Sequence, residues 1–233
     1  MTGPRAIDAG SPSLARTAYE QLRRAIVRCE LTPGAEVTEA QLARQFGVGR
    51  AAVRLALGRL AHERLVQPMP RQGWRIAPIT LRHVQDLFGV RLIIEPAATR
   101  LAAGRLLPAQ LDRLAELNQA RYQPGDRESR IAFLQANREF HSIIAGAAGN
   151  ERLAELLAGV FDDMERLLNL SHIQYDRNEA TPREHQAIIE ALRAGDPERA
   201  EQAALDHIRP MRTLVIEQVL AHPNLQTVNL AVM

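Results

Sequence analysis

The stretch Gln41-Leu42-Ala43-Arg44-Gln45-Phe46-Gly47-Val48-Gly49-Arg50-Ala51-Ala52-Val53-Arg54 decides the fold of the first third of the chain. Leu42, Phe46, Val48 and Val53 are apolar at the places where two crossing helices must meet, and Gly47 permits the sharp turn between them. Just upstream, Thr38 followed by Gln41 reads as a capping box that opens a short helix over 39–45. Just downstream, Val53, Leu57 and Leu60 share one face of a helix over 50–64. Further out, residues 14–29 carry apolar side chains at helical spacing, and Leu31-Thr32-Pro33-Gly34 is a turn. Leu65 to Pro68 and Gly73 to Ala77 read as two extended segments around a tip at Met69 to Gln72, a β-hairpin. Helix, helix, turn, helix, hairpin is the order of a winged helix-turn-helix.

Composition sets the frame. At 233 residues the chain is one large domain or two small ones. Hydrophobic residues make up 46% and aromatics only 4%, which favours a packed, mainly helical protein over disorder or sheets. All 29 basic residues are Arg. A single cysteine, Cys29, excludes an internal disulfide framework and a CxxC zinc ribbon. No apolar run is long enough for a transmembrane helix, and the first residues lack the apolar core of a secretory signal. The expectation is a cytoplasmic protein with no membrane partner. Charge is uneven: residues 1–78 hold 12 Arg against 6 carboxylates, and residues 79–233 hold 17 against 21. A basic first third on an acidic remainder points to one region that meets a polyanion.

After a hinge at Pro78 to Thr80 everything reads helical, over 81–104, 108–122, 129–147, 150–172, 182–194 and 197–221. Thr181-Pro182-x-Glu184 reads as an N-cap with its reciprocal Glu, and Gly195-Asp196-Pro197 as a stop followed by a new cap. Pro96 falls inside the first of these helices and should kink it. Six amphipathic helices with short loops imply an antiparallel bundle. The expected organisation is a flexible arm at 1–12, a winged helix-turn-helix at 13–78, a helical domain at 79–222 and a tail at 223–233.

Two constellations carry chemistry. With Val53 and Leu57 inward, Arg50 and Arg54 lie four residues apart on the outward face at the N-terminal end of their helix, the end that enters a major groove. A guanidinium there can fork onto guanine O6 and N7. Arg71 and Arg75 flank the hairpin tip, and Gly73 would let its backbone approach a phosphate or the minor groove. An isolated Arg pair is usually a solvated one; the capping box, glycine turn, hairpin and local basic balance together favour DNA binding. In the helical half, Asn137 and His141 share one helix face, His185 opens a later helix and His207 lies mid-way along the last. Three imidazoles from three helices can converge on a metal in a bundle core, with the Asn137 amide oxygen as a fourth donor. A lone His is more often a hydrogen-bonded residue than a ligand, and His62, His83, His172 and His222 are read as structural or exposed.

Residues 14–79 resemble the DNA-binding domain of the GntR family of bacterial transcription regulators. The matching positions are Leu31-x-Pro33-Gly34, Leu42-Ala43, Gly47-Val48-x-Arg50, Val53-Arg54-x-Ala56-Leu57, Leu60 and Gly73. The resemblance implies a DNA-binding set of Thr38, Arg50, Ala51, Arg54, Arg71, Gly73 and Arg75. The chain departs from the family at Gly49, where Ser is usual, at Ala51-Ala52 in place of Thr-Pro, at Leu55 in place of Glu, and at Ala40 in place of a basic residue. Residues 81–221 resemble the FCD effector domain of the FadR subfamily through Arg91-x-x-x-Glu95, Asn137-x-x-Phe140-His141, Gly149-Asn150-x-x-Leu153, Glu184-His185 and His207-Ile208. That resemblance implies a divalent metal (zinc, manganese or nickel) held by Asn137, His141, His185 and His207. Asn137 stands where the family usually has Asp, so one negative charge is missing. It also implies that Arg91 faces the pocket and binds an effector carboxylate, although an Arg91–Glu95 pair within the helix explains the same residues.

The expected function is a ligand-responsive repressor, binding an inverted-repeat operator of double-stranded DNA as a homodimer and released by a small carboxylate metabolite. The same histidines would also suit a metal-dependent hydrolase or a metal sensor. Against the enzyme, no acid or base is evidently paired to the cluster.

Overall fold

The computed structural model describes residues 14–170 and 176–221. The expected arm and tail, with His172 and His222, lie outside these residues. The chain divides after Pro78 into two compact units.

The N-terminal unit is built from α1 (Leu14–Val27), β1 (Glu36–Val37), α2 (Glu39–Phe46), α3 (Arg50–His62), β2 (Val66–Met69) and β3 (Gly73–Ile76). Thr38 caps α2 through a reciprocal box: its Oγ1 accepts from the Gln41 backbone N–H at 3.2 Å, and the Gln41 side-chain oxygen accepts from the Thr38 N–H at 2.8 Å. Gly47 ends α2 in the left-handed region at φ 66°, and α3 starts three residues later. The core is continuous and apolar, with Leu22, Ile26, Leu42, Val53, Leu57, Leu60 and Ile76 at its centre. Burying such side chains gives about 1.5–3 kcal/mol each, against the entropy of ordering them. The sheet is antiparallel in the order β1-β3-β2, with Glu36 opposite Arg75 and Pro68 opposite Trp74. The hairpin was legible; β1, at two residues, is too short to show a periodicity.

Among the described residues the C-terminal unit packs six helices: α4 (Leu81–Ala102), α5 (Pro108–Leu117), α6 (Arg127–Ala147), α7 (Glu151–Leu168), α8 (Ala180–Ala194) and α9 (Pro197–Ala221). Thr80, Asp126, Asn150 and Asp196 each accept a backbone N–H at a helix start. One start differs from expectation. The helix α8 begins at Ala180, so Thr181 lies inside it, and no side chain caps it. The reason is chemical: the Glu184 carboxylate that would complete the box is taken by Arg177 and His207. Pro96 lies inside an unbroken α4, and α9 likewise contains Pro210. An apolar cluster around Leu114, Phe140, Ile188, Ile189 and Leu192 joins α5, α6 and α8.

Candidate functional site

On the N-terminal unit, the outer face of α3 presents Arg50, Ala51, Arg54 and Leu55, all exposed, above the buried Ala52, Val53, Ala56 and Leu57. Gly49 supplies no side-chain cap, so the first N–H groups of α3 are left for an outside acceptor. Arg54 is held by Glu39 at the start of α2, its Nη2 2.8 Å from the carboxylate and its Nε 3.1 Å from both oxygens. Those hydrogen bonds keep the Glu39 carboxyl below its ordinary range. Arg75 pairs across the sheet with Glu36 at 2.7 Å. Both are solvent-exposed pairs of the kind worth at most about 1 kcal/mol, so a phosphate or a base edge can displace them. Arg50, which makes no hydrogen bond among the described residues, needs no such exchange. Arg71 sits exposed at the hairpin tip with φ 64°.

The structure gives Gly73 a reason of its own. It has φ 107°, and a Cβ there would lie 2.6 Å from the Val37 carbonyl oxygen. The close approach that demands glycine is therefore to β1, within the unit, whether or not DNA also comes near.

In the helical unit, α6 carries Asn137 and His141, α8 carries His185, α9 carries His207, and α4 carries Arg91 and Glu95. His141, His185 and His207 are 3–4% exposed, and one ring nitrogen from each lies within 4.8 Å of the others. A different device fixes each ring. His141 Nδ1 meets Glu95 Oε1 at 2.7 Å, and His207 Nδ1 meets Glu184 Oε2 at 2.9 Å. His185 stacks on Phe140, with centroids 4.0 Å apart and planes 6° from parallel. Burial, reinforced by the neighbouring rings, pushes His185 and His207 well below the ordinary histidine range. They are neutral at pH 7, the form that binds a metal. The Nε2 atoms of His141 and His185 are buried with no hydrogen-bond partner. Such an atom costs about 1–3 kcal/mol unless something occupies the space beside it, and a divalent cation fits that donor set.

Asn137, His141, His207 and Arg91 line one cavity of about 30 Å³, together with the apolar Phe161 and Met164. Asn137 and His185 also border a smaller void of about 10 Å³. The Arg91 guanidinium is already engaged: its Nε is 2.6 Å from Glu95 Oε2, both side chains buried. Burial alone would raise the Glu95 carboxyl, but Arg91 and His141 outweigh it and hold it well below the usual range. Arg91 thus both borders the cavity and pairs along its helix.

The sequence reading found no carboxylate paired to the cluster, and here the structure corrects it. Glu95 and Glu184 each accept from a cluster histidine. Both were in view, Glu95 one turn beyond Arg91 and Glu184 beside His185, but each serves a histidine on another helix.

Comparison with known proteins decides the family. The description "Bacterial regulatory proteins, gntR family" matches residues 14–76, and the FCD domain matches residues 86–210, more than half of the chain. The chain belongs to the GntR family of transcription regulators and carries an FCD domain. The regulator is 28% identical over 192 residues to the uncharacterized HTH-type transcriptional regulator YdhC of Bacillus subtilis, covering 81% of this chain and 85% of that one. It is 28% identical to the HTH-type transcriptional repressor RspR of Escherichia coli, covering 82% and 84%. Its fold matches that of E. coli McbR/YncC with a TM-score of 0.76 at 23% identity, over 89% of this chain and 99% of the other. By their names YdhC is a transcriptional regulator and RspR a transcriptional repressor. Among the described residues of the regulator, no helix is long and apolar enough to cross a membrane.

Proposed function

We propose that the chain is a cytoplasmic repressor of the FadR subfamily. It reads an inverted-repeat operator as a homodimer and is released by a small carboxylate metabolite bound at a divalent metal. The observation that carries this reading is the buried histidine cluster with two orphaned Nε2 atoms, inside a chain whose other unit displays an exposed Arg50 on a recognition helix. Arg50 and Arg54 would read guanines in the major groove, with Thr38 and Ala51 beside them. Arg71, Gly73 and Arg75 would meet the backbone or minor groove at the wing. His141, His185, His207 and Asn137 would hold the metal, which supplies a Lewis-acidic centre for an anionic oxygen. Arg91, with Nε and Nη2 turned to Glu95, has Nη1 left for the same ligand.

Size supports a coupled response. A cavity of about 30 Å³ holds roughly one water or ion and no metabolite, so a ligand must open the bundle. A wider depression of about 530 Å³ between α8 and α9 is lined by Glu184 and His207, and His207 also borders the small cavity. Opening the core gives the ligand unequal affinity for two arrangements, which is what regulation requires. For the dimer, the packed helices α4 and α7 expose Val90 at 47%, Ile93 at 72% and Leu156 at 63%, apolar side chains that a second copy would cover.

The test is selection of binding sites from a random duplex library, followed by titration of the selected duplex with zinc, manganese or nickel and a panel of small carboxylates. The expected result is an inverted repeat whose affinity falls when metal and one carboxylate are added together. Failure to select any duplex refutes the DNA reading, and affinity indifferent to every metal–carboxylate pair refutes the effector reading.

A further inference from the structure

We infer that Glu95 and Glu184 are positioning residues that set the histidine cluster in its metal-binding tautomer, and that metal affinity depends on them. The inference rests on the metal reading above. Two chains of contacts run into the cluster from opposite partners. In one, Arg91 on α4 holds Glu95 at 2.6 Å, and Glu95 meets His141 on α6 at 2.7 Å. In the other, Arg177 holds Glu184 on α8 in a close ion pair, and Glu184 meets His207 on α9 at 2.9 Å.

An ionised carboxylate only accepts hydrogen bonds. The nitrogen facing it must therefore be the N–H, so Nδ1 carries the proton in His141 and in His207. The lone pair then stands on Nε2. That agrees with the buried, unpartnered Nε2 of His141. Without its carboxylate a neutral imidazole is free to take the opposite tautomer, with a proton where the metal should sit.

The arginines complete the device. Arg91 Nε donates to Oε2 of Glu95 at 2.6 Å, and its Nη2 reaches Oε1 at the longer distance of 3.4 Å, the oxygen that His141 meets at 2.7 Å. Arg177 engages both oxygens of Glu184. Each carboxylate is thereby fixed in orientation, and each tie links two helices that contribute to the site. His185 has no carboxylate and relies on Phe140 for its plane. Asn137 brings an amide and no charge, so Glu95 and Glu184 are the carboxylates in direct contact with cluster rings among the described residues.

The experiment uses the full chain labelled with 15N in its histidines and freed of metal. NMR reads the tautomer of each ring, and competition with a chromophoric chelator reads zinc affinity. His141 and His207 are expected as Nδ1–H tautomers in the wild type. Glu184→Ala should lose the single tautomer at His207 while His141 keeps its own, and should weaken zinc binding about 10- to 100-fold. Glu184→Gln, which keeps an oxygen acceptor, should recover part of both. Glu95 is buried against Arg91, so Glu95→Gln is the variant to use there, with the same pair of readouts shifted at His141. Nε2–H tautomers in the wild type, or zinc affinity in Glu184→Ala within about twofold of wild type, would overturn the inference while leaving the metal site standing. A wild-type chain that takes up no zinc, manganese or nickel sinks the metal reading and this inference with it.

Discussion

In the N-terminal unit, no polar or charged residue is buried among the described residues; in the helical unit, Arg91, Glu95, His141, Glu165, Arg166, His185 and His207 all are. The first unit keeps a wholly apolar core and puts its charges where solvent reaches them, as Arg54–Glu39 and Arg75–Glu36 pairs that are cheap to exchange. The second accepts the desolvation of ions and closes Arg–Glu–His contacts in its interior, where removing one partner is expensive. The difference suits the two roles proposed above. A reading head needs a rigid support and labile surface partners, because DNA arrives from outside. A sensing core needs polar groups fixed in advance around a small cavity, because a metal or metabolite must be enclosed to be felt.

The rigid support is the easiest half of that comparison to break. Gly73→Ala forces an L side chain to φ 107° and drives its Cβ to 2.6 Å from the Val37 carbonyl. A strained backbone of this kind costs about 1–3 kcal/mol before the overlap is counted. Denaturant unfolding should show the N-terminal unit weakened by at least that much and the helical unit unchanged. Equal loss in both units would mean that they do not fold independently.

A smaller effect lies in the second unit at Asp163. Burial raises its carboxyl, outweighing the pull of His83 and Arg166. The folded chain therefore takes up this proton at a higher pH than the unfolded chain does. The ionised group costs stability above the raised pKa, and the cost fades as pH falls toward the ordinary value of about 4. Asp163→Asn should melt above the wild type at pH 7, and the gap should close near pH 4. A gap that widens on acidification would show that the His83 contact dominates.

How far the sequence carried differs between the two units in the same way. The capping box at Thr38, the left-handed Gly47 and the hairpin are local events, each written in neighbouring residues, and they could be read directly. The strand β1 was not, because two residues define no pattern. The six helices were legible from periodicity, and the three histidines from their places on them. The partners Glu95 and Glu184 were hidden: Glu95 and His141 stand 46 positions apart, and no periodicity tells which carboxylate a folded bundle brings to which ring. The same non-local competition moved the start of α8, since Glu184 looked like a cap and is instead held by Arg177 and His207. Gly73 was read as a place where a phosphate or the minor groove approaches the backbone; only the fold shows that β1 lies against it.

The proposed regulator divides its labour, with DNA read by the first unit and the metal held by the second. The most direct test is one side-by-side measurement of bound metal per chain and affinity for a selected duplex, on wild type, Arg50→Ala and His141→Ala purified without chelator or nickel resin. About one metal per chain is expected in wild type and in Arg50→Ala, and little in His141→Ala. Duplex affinity should be weakened roughly 5- to 150-fold in Arg50→Ala and retained by His141→Ala in the absence of effector. Duplex binding lost in His141→Ala but kept in Arg50→Ala, or metal indifferent to His141, would contradict that division.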